Sequence, residues 1–134
     1  MAFCLWKSRE TGEIIRIPTL EQWAAAVTNA GQTKYPWGDT YNLQMCNSRD
    51  SGWGRRLPVH ALPPHDKKYF RIFNLVGNVN EWISPSKMCG GSWQDDCRQD
   101  NFASSGFVIG IKNPNKREWR WEGLGFRYVN NCVG

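Results

Sequence analysis

The sequence predicts an α+β domain, loop-rich, in which short twisted antiparallel sheets are held between long ordered connections. Three observations carry that prediction. Eight Trp, six Phe and four Tyr stand beside 13 Gly and 7 Pro, and bulky inward-facing rings mixed with turn formers suit short strands rather than a helical bundle. Only the stretch from Thr19 carries a complete helix signal. From residue 32 to residue 66 no apolar period is sustained, and Gly, Pro, Asn, Asp and Ser punctuate the chain, which reads as ordered loop. At 134 residues and 40% hydrophobic content, the chain suits one domain with an ordinary core.

The elements follow in order. Residues 2–7 read as a short helix, or the end of one. Thr11-Gly12 is a turn, and Ile14, Ile15 and Ile17 form a short strand or extended lead-in that Pro18 stops. Thr19-Leu20-Glu21-Gln22 is a capping box: the Thr hydroxyl accepts from the backbone N–H three residues on, and Gln22 reaches back to the cap. Leu20, Trp23, Ala24 and Val27 then recur at helical spacing, with Gly31 ending the helix. Further on, residues 70–76 and 80–83 read as strands. Residues 88–93 read as a strand kinked at Gly90-Gly91. Residues 107–111 and 125–129 complete the set.

Charge and cysteine content narrow the function classes. The net charge is +5, but the basic residues are spread out except at Arg55-Arg56, Lys67-Lys68 and residues 112–120. No nucleic-acid motif accompanies them, so a solvated basic surface is expected and nucleic acid is not. No window of about 18 apolar residues exists to span a membrane. Residues 1–7 lack the apolar core and cleavage pattern of a secretory signal. Five cysteines at scattered spacing (Cys4, Cys46, Cys89, Cys97 and Cys132) point to reduced thiols in a cytoplasmic setting. They offer no zinc-like cluster, and only His60 and His65 are available to a His-based metal centre.

Six segments, in the same order, resemble the formylglycine-generating-enzyme (sulfatase-modifying factor) family. They are Arg16-Ile17-Pro18-Thr19-Leu20-Glu21-Gln22-Trp23; Tyr35-Pro36-Trp37-Gly38-Asp39; Pro58-Val59 with Leu62-Pro63-Pro64, where His65 replaces the usual Asn; Asn74-Leu75-Val76-Gly77-Asn78-Val79-Asn80-Glu81-Trp82; Gly90-Gly91-Ser92-Trp93, where Cys89 replaces Arg; and Gly125-Phe126-Arg127. The resemblance implies a C-type-lectin-like fold, single-domain over residues 1–134, with the N-terminal part of the family fold missing and a partner chain able to complete that edge. The family's catalysts hold copper on two cysteines shortly after Gly-Gly-Ser. The matching positions here are Asp95 and Asp100, with Cys97 out of register between them, and carboxylates are poor copper(I) ligands. Copper is therefore not expected.

The resemblance also implies a structural calcium ion held by Asn74, Gly77, Val79 and Glu81, through oxygens of the kind calcium prefers. The alternative is a turn in which Asn74 and Glu81 bond the backbone directly. Between the Gly-Gly-Ser-Trp and Gly-Phe-Arg anchors, Trp93, Asp95, Asp96, Arg98, Asp100, Asn101, Trp119, Arg120 and Trp121 make a candidate binding face for a protein or glycan ligand. The alternative there is that the Trp rings pack inward and the charges are solvated. The arrangement is similar to the variable proteins of diversity-generating retroelements, some of them displayed on phage. The expected function is thus a non-catalytic binding module, a phage or viral surface component among the forms it would take. The alternatives are a copper-dependent thiol oxidase and a structural assembly subunit.

Overall fold

The structure is a computed structural model that describes residues 2–65, 71–83, 87–98, 108–110 and 123–131. Two helices and six strands are found among them: α1 (Ala2–Thr11), β1 (Ile14–Arg16), α2 (Leu20–Val27), β2 (Asn80–Ile83), β3 (Lys87–Cys89), β4 (Val108–Gly110), β5 (Leu124–Gly125) and β6 (Val129–Asn131).

Helix α1 runs one turn beyond the predicted residue 7. It ends where Gly12 takes φ 72° and its N–H returns to the Ser8 carbonyl, the left-handed stop that glycine supplies without a Cβ penalty. Ser8 Oγ also accepts from Ile15 N at 2.9 Å, so the helix carries β1 with it. Helix α2 begins as its box dictates, with Gln22 N donating to Thr19 Oγ1 and Thr19 N to Gln22 Oε1. It closes earlier than predicted, at Val27. Thr28 Oγ1 donates to the Ala24 carbonyl, and Asn29, Ala30 and Gly31 are all left-handed. Gly31 is therefore the last residue of the turn, not the helix stop.

The sheets are mostly antiparallel. One has two strands, β1 paired with β6 in the register Ile15↔Asn130. The other has the order β4-β3-β2-β5, with β2 antiparallel to β3 (Trp82↔Met88) and parallel to β5 (Glu81↔Gly125). Strands β2 and β4 fall where the sequence put them, whereas β3 meets its predicted span, 88–93, only at residues 88–89 and stops before Gly90 and Gly91, which take φ 98° and 73°. The predicted strand at 70–76 is not formed over its described part, 71–76. Arg71 and Asn74 sit at φ 51° and 52°, in a region no strand residue occupies. The predicted final strand is divided into β5 and β6 by residues 126–128.

The core lies between α2, the 35–46 loop and the larger sheet: Trp23, Val27, Tyr35, Cys46, Leu75, Val76, Ile83, Cys89 and Cys97 cluster there. Tyr35 and Trp37 stack at 5.2 Å in a turn closed by both Tyr35–Gly38 backbone bonds. The long loops are thus fastened by rings and by buried amides.

Candidate functional site

The loop that enters β2 is built around buried amides. Asn78, left-handed at φ 68°, holds residue 57 from both sides: its Oδ1 accepts from Leu57 N and its Nδ2 donates to Leu57 O. Asn47 donates to the same Oδ1 and to Arg55 O, while its own carbonyl accepts from Asn78 N. Gly77 lies so close to this residue that a Cβ would come within 2.5 Å of the Asn47 carbonyl oxygen. Polar side chains here replace the ladder bonds that a loop lacks.

One turn onward, Asn80 links β2 to the Gly-Gly-Ser segment, accepting from Gly91 N through Oδ1 and donating to Asp95 Oδ2. Asp95 Oδ2 also accepts from Ser92 N at 2.8 Å and Ser92 Oγ at 2.7 Å. Its carbonyl accepts from Arg49 N. A carboxylate oxygen with three donors is a structural hub. Asp95 therefore fixes the 92–98 turn instead of facing outward with its neighbours.

The outer side of that turn is charged. Arg98 Nη1 donates to Asp50 Oδ2 at 2.8 Å and to Asp96 Oδ2 at 3.0 Å, and its guanidinium lies 5.0 Å from the centre of the Tyr41 ring. Arg49 approaches Asp50 and Asp96 at the edge. Of the predicted face, then, Asp96 and Arg98 come together. Trp93 is half-buried, and its indole N–H is enclosed with no partner among the described residues. Asp100, Asn101, Trp119, Arg120 and Trp121 lie outside the described residues. Tyr41, Arg49 and Asp50 join the face from a distant loop, and no sequence spacing announced them.

The thiols beneath this surface are shielded. Cys97 is fully enclosed and donates to the Ser92 and Asp95 carbonyls. Burial pushes its titration up, and nearby Cys46 and the carboxylates of Asp95, Asp96 and Asp50 push it further. Burial also raises Cys46, which bonds Tyr41 Oη, and Cys89, which lies beside Glu81. A thiol in such surroundings stays protonated and is a poor nucleophile and metal ligand.

At the predicted calcium positions, Glu81 is buried and both its oxygens meet Arg127, Oε2 accepting from Nε at 2.5 Å and Oε1 from Nη2 at 2.6 Å. Nη2 also donates to the carbonyls of Phe73 and Asn74. Burial pushes the Glu81 carboxyl up, and the Arg127 charge opposes that. Asn74 uses its amide nitrogen on the Val59 carbonyl, and the Gly77 carbonyl accepts from Val79 N. The arrangement is a carboxylate supplied with a cation by its own chain. An ion at Glu81 would have to share it with the guanidinium. The partnership of Arg127 and Glu81 was not foreseen, although a carboxylate buried in a sheet demands a cation.

The sulfatase-modifying factor enzyme 1-like domain matches residues 1–132. The chain belongs to this family. The inactive C-alpha-formylglycine-generating enzyme 2 of Bos taurus is 26% identical over 152 aligned residues, covering 98% of this chain and 47% of that protein. The formylglycine-generating enzyme of Mus musculus is 26% identical over 98 residues, covering 63% of this chain and 24% of its own. The chain thus spans less than half the length of either relative. Among solved structures, PvdO from Pseudomonas aeruginosa superposes with a TM-score of 0.74 at 19% identity, over 96% of this chain and 57% of PvdO. Treponema denticola variable protein 1 does so with a TM-score of 0.66 at 18% identity, over 87% and 47%. The fold of this family member is therefore the formylglycine-generating-enzyme type, as the six ordered motifs implied.

Proposed function

We propose that the chain is a non-catalytic binding module that presents the Asp50, Asp96 and Arg98 surface to a protein or glycan ligand. The observation that carries the reading is the condition of Asp95. Where the family's catalysts place a copper ligand, this side chain accepts three hydrogen bonds from its own turn and β2, and the nearest thiol is enclosed and protonated. Copper(I) chemistry needs two accessible thiolates. The inactive bovine relative supports the same reading, and the fold shared with variable protein 1 supports recognition by loops on a fixed scaffold. The reading extends to a partner chain at the N-terminal edge, supported by the exposure of Leu5, Trp6 and Ile14 on α1 and β1.

Two measurements test it. Copper(I) titration of the reduced chain, beside Cys97→Ser and with a cysteine peptide as reductant, should give neither stoichiometric binding nor peptide oxidation. Turnover that disappears in Cys97→Ser would overturn the non-catalytic reading. Selection of glycans and random peptides on the immobilised chain should return ligands whose affinity drops at least tenfold on Arg98→Glu. Ligands indifferent to that change would remove the binding face from this surface.

A further inference from the structure

A shallow cavity of about 640 Å³, open to solvent, lies between the Pro-rich loop and residues 71–73, lined by His60, Leu62, Pro63, Pro64, Arg71 and Phe73. Its size is within the range of small-molecule sites. The walls are rings. His60 stands edge-on to Phe73 at 4.5 Å and 69°, and two consecutive prolines face them with φ fixed by their own covalent rings.

The cavity is also held open by its frame. Leu57 is clamped by Asn78, the Val59 carbonyl accepts from Asn74, and Ala61 N closes a turn onto Pro58 O. At the far end His65 N donates to Ile72 O, and the His65 ring is gripped by Leu75 N and the Met45 carbonyl. The loop cannot fall inward without breaking those bonds. Such a frame lowers the ordering cost of binding.

Among the described residues no lining side chain is acidic, and Arg71 contributes a guanidinium. Arg71 holds φ 51°, a conformation that glycine would adopt more readily and that is found where backbone strain serves a ligand clamp. A planar fork donor beside aromatic and proline surfaces suits one class of ligand, a carboxylate joined to a flat apolar body.

We propose that this cavity binds an aromatic carboxylate, with Arg71 taking the carboxylate and His60, Pro63, Pro64 and Phe73 packing against the ring. The carboxylate could come from a free acid or from the C-terminus of a peptide. The test is a two-dimensional amide NMR titration of the full chain with phenylacetate, with N-acetyl-Gly-Phe as the peptide arm, and with uncharged phenylacetamide. Saturable shifts at residues 60–62, 71 and 73 are expected. Phenylacetamide should bind at least tenfold more weakly, and so should phenylacetate to Arg71→Gln. Arg71→Lys should retain part of the affinity. Arg71→Gly, whose backbone is relaxed at this φ, should fold and lose it. Preference between the two acids identifies the source. Equal binding of phenylacetamide, undiminished affinity in Arg71→Gly, or shifts that do not saturate would each overturn the proposal.

Discussion

Arg127 and Glu81 face each other through two parallel hydrogen bonds, although 46 positions separate them in the chain. The pair ties the Gly-Phe-Arg segment to β2, and Arg127 continues to the carbonyls of Phe73 and Asn74. One guanidinium therefore closes three stretches of chain at once. Breaking a buried pair by removing one member leaves the other charge uncompensated. Arg127→Met should accordingly cost about 3–5 kcal/mol in urea unfolding. The double variant Glu81→Leu/Arg127→Met should recover most of that loss, because the apolar surroundings no longer hold a lone charge. A double variant as unstable as the single one would show that the carbonyl contacts, not the charge pair, dominate.

Because the guanidinium already neutralises Glu81, calcium should add little stability. Melting in chelator and in millimolar calcium is expected to give the same midpoint. A rise of several degrees in calcium, abolished by Glu81→Gln, would show an ion sharing the carboxylate with Arg127.

His65 gives the fold an acid limit. Leu75 N donates to its Nδ1, so the proton of the neutral ring sits on Nε2, facing the Met45 carbonyl. Burial is the main cause, with the charge of Arg127 adding to it, of a pKa lowered to about 4 from 6.5. Below pH 6.5 the unfolded chain takes a proton that the folded chain refuses, so stability falls as pH drops and levels off below about 4. The loss should approach about 3 kcal/mol, because each tenfold difference in proton affinity between the folded and unfolded chain is worth roughly 1.4 kcal/mol. Equilibrium unfolding between pH 7 and pH 4 should show this slope, and His65→Asn should flatten it.

Gly77 and Gly12 have similar left-handed φ values, 78° and 72°, in unlike surroundings. A Cβ at Gly12 meets nothing within 4 Å, whereas one at Gly77 meets the Asn47 backbone. Gly12→Ala should cost only the conformational strain, about 1 kcal/mol. Gly77→Ala must in addition part β2's entry loop from Asn47, and losses above about 4 kcal/mol are expected. Urea midpoints of the two variants compare them directly.

Cys4, Cys46, Cys89 and Cys97 are all buried and free. Native protein at pH 8 should leave these four unmodified by a thiol reagent for as long as the fold persists, and denaturant should expose them together. Peptide mapping identifies each site. Rapid native labelling of Cys97 would place it at an accessible surface and reopen thiol chemistry.

What the sequence disclosed follows the range of the interactions involved. The Thr19 box, β2 and β4 are local, set by side chains a few positions apart, and they were legible. The strand expected at 70–76 has the right apolar content. Its fate was decided instead by left-handed Arg71 and Asn74, which residue types alone did not announce. The candidate site was partly legible. Asp96 and Arg98 were named, but Tyr41, Arg49 and Asp50 reach them across a loop with no period. Asp95 was read as a surface group because its three donors are supplied by a turn that exists only once folded. Arg127 was seen as part of a motif, without its partner in β2.

The pairing of β1 with β6 has a kinetic consequence. Ile15 cannot meet Asn130 until nearly the whole intervening chain has been made. At cellular synthesis speeds of about 5–20 residues per second, that delay is roughly 6–23 s. During it β1 can lean only on α1, through the Ser8–Ile15 bond, so the two-stranded sheet is among the last parts of the fold to close.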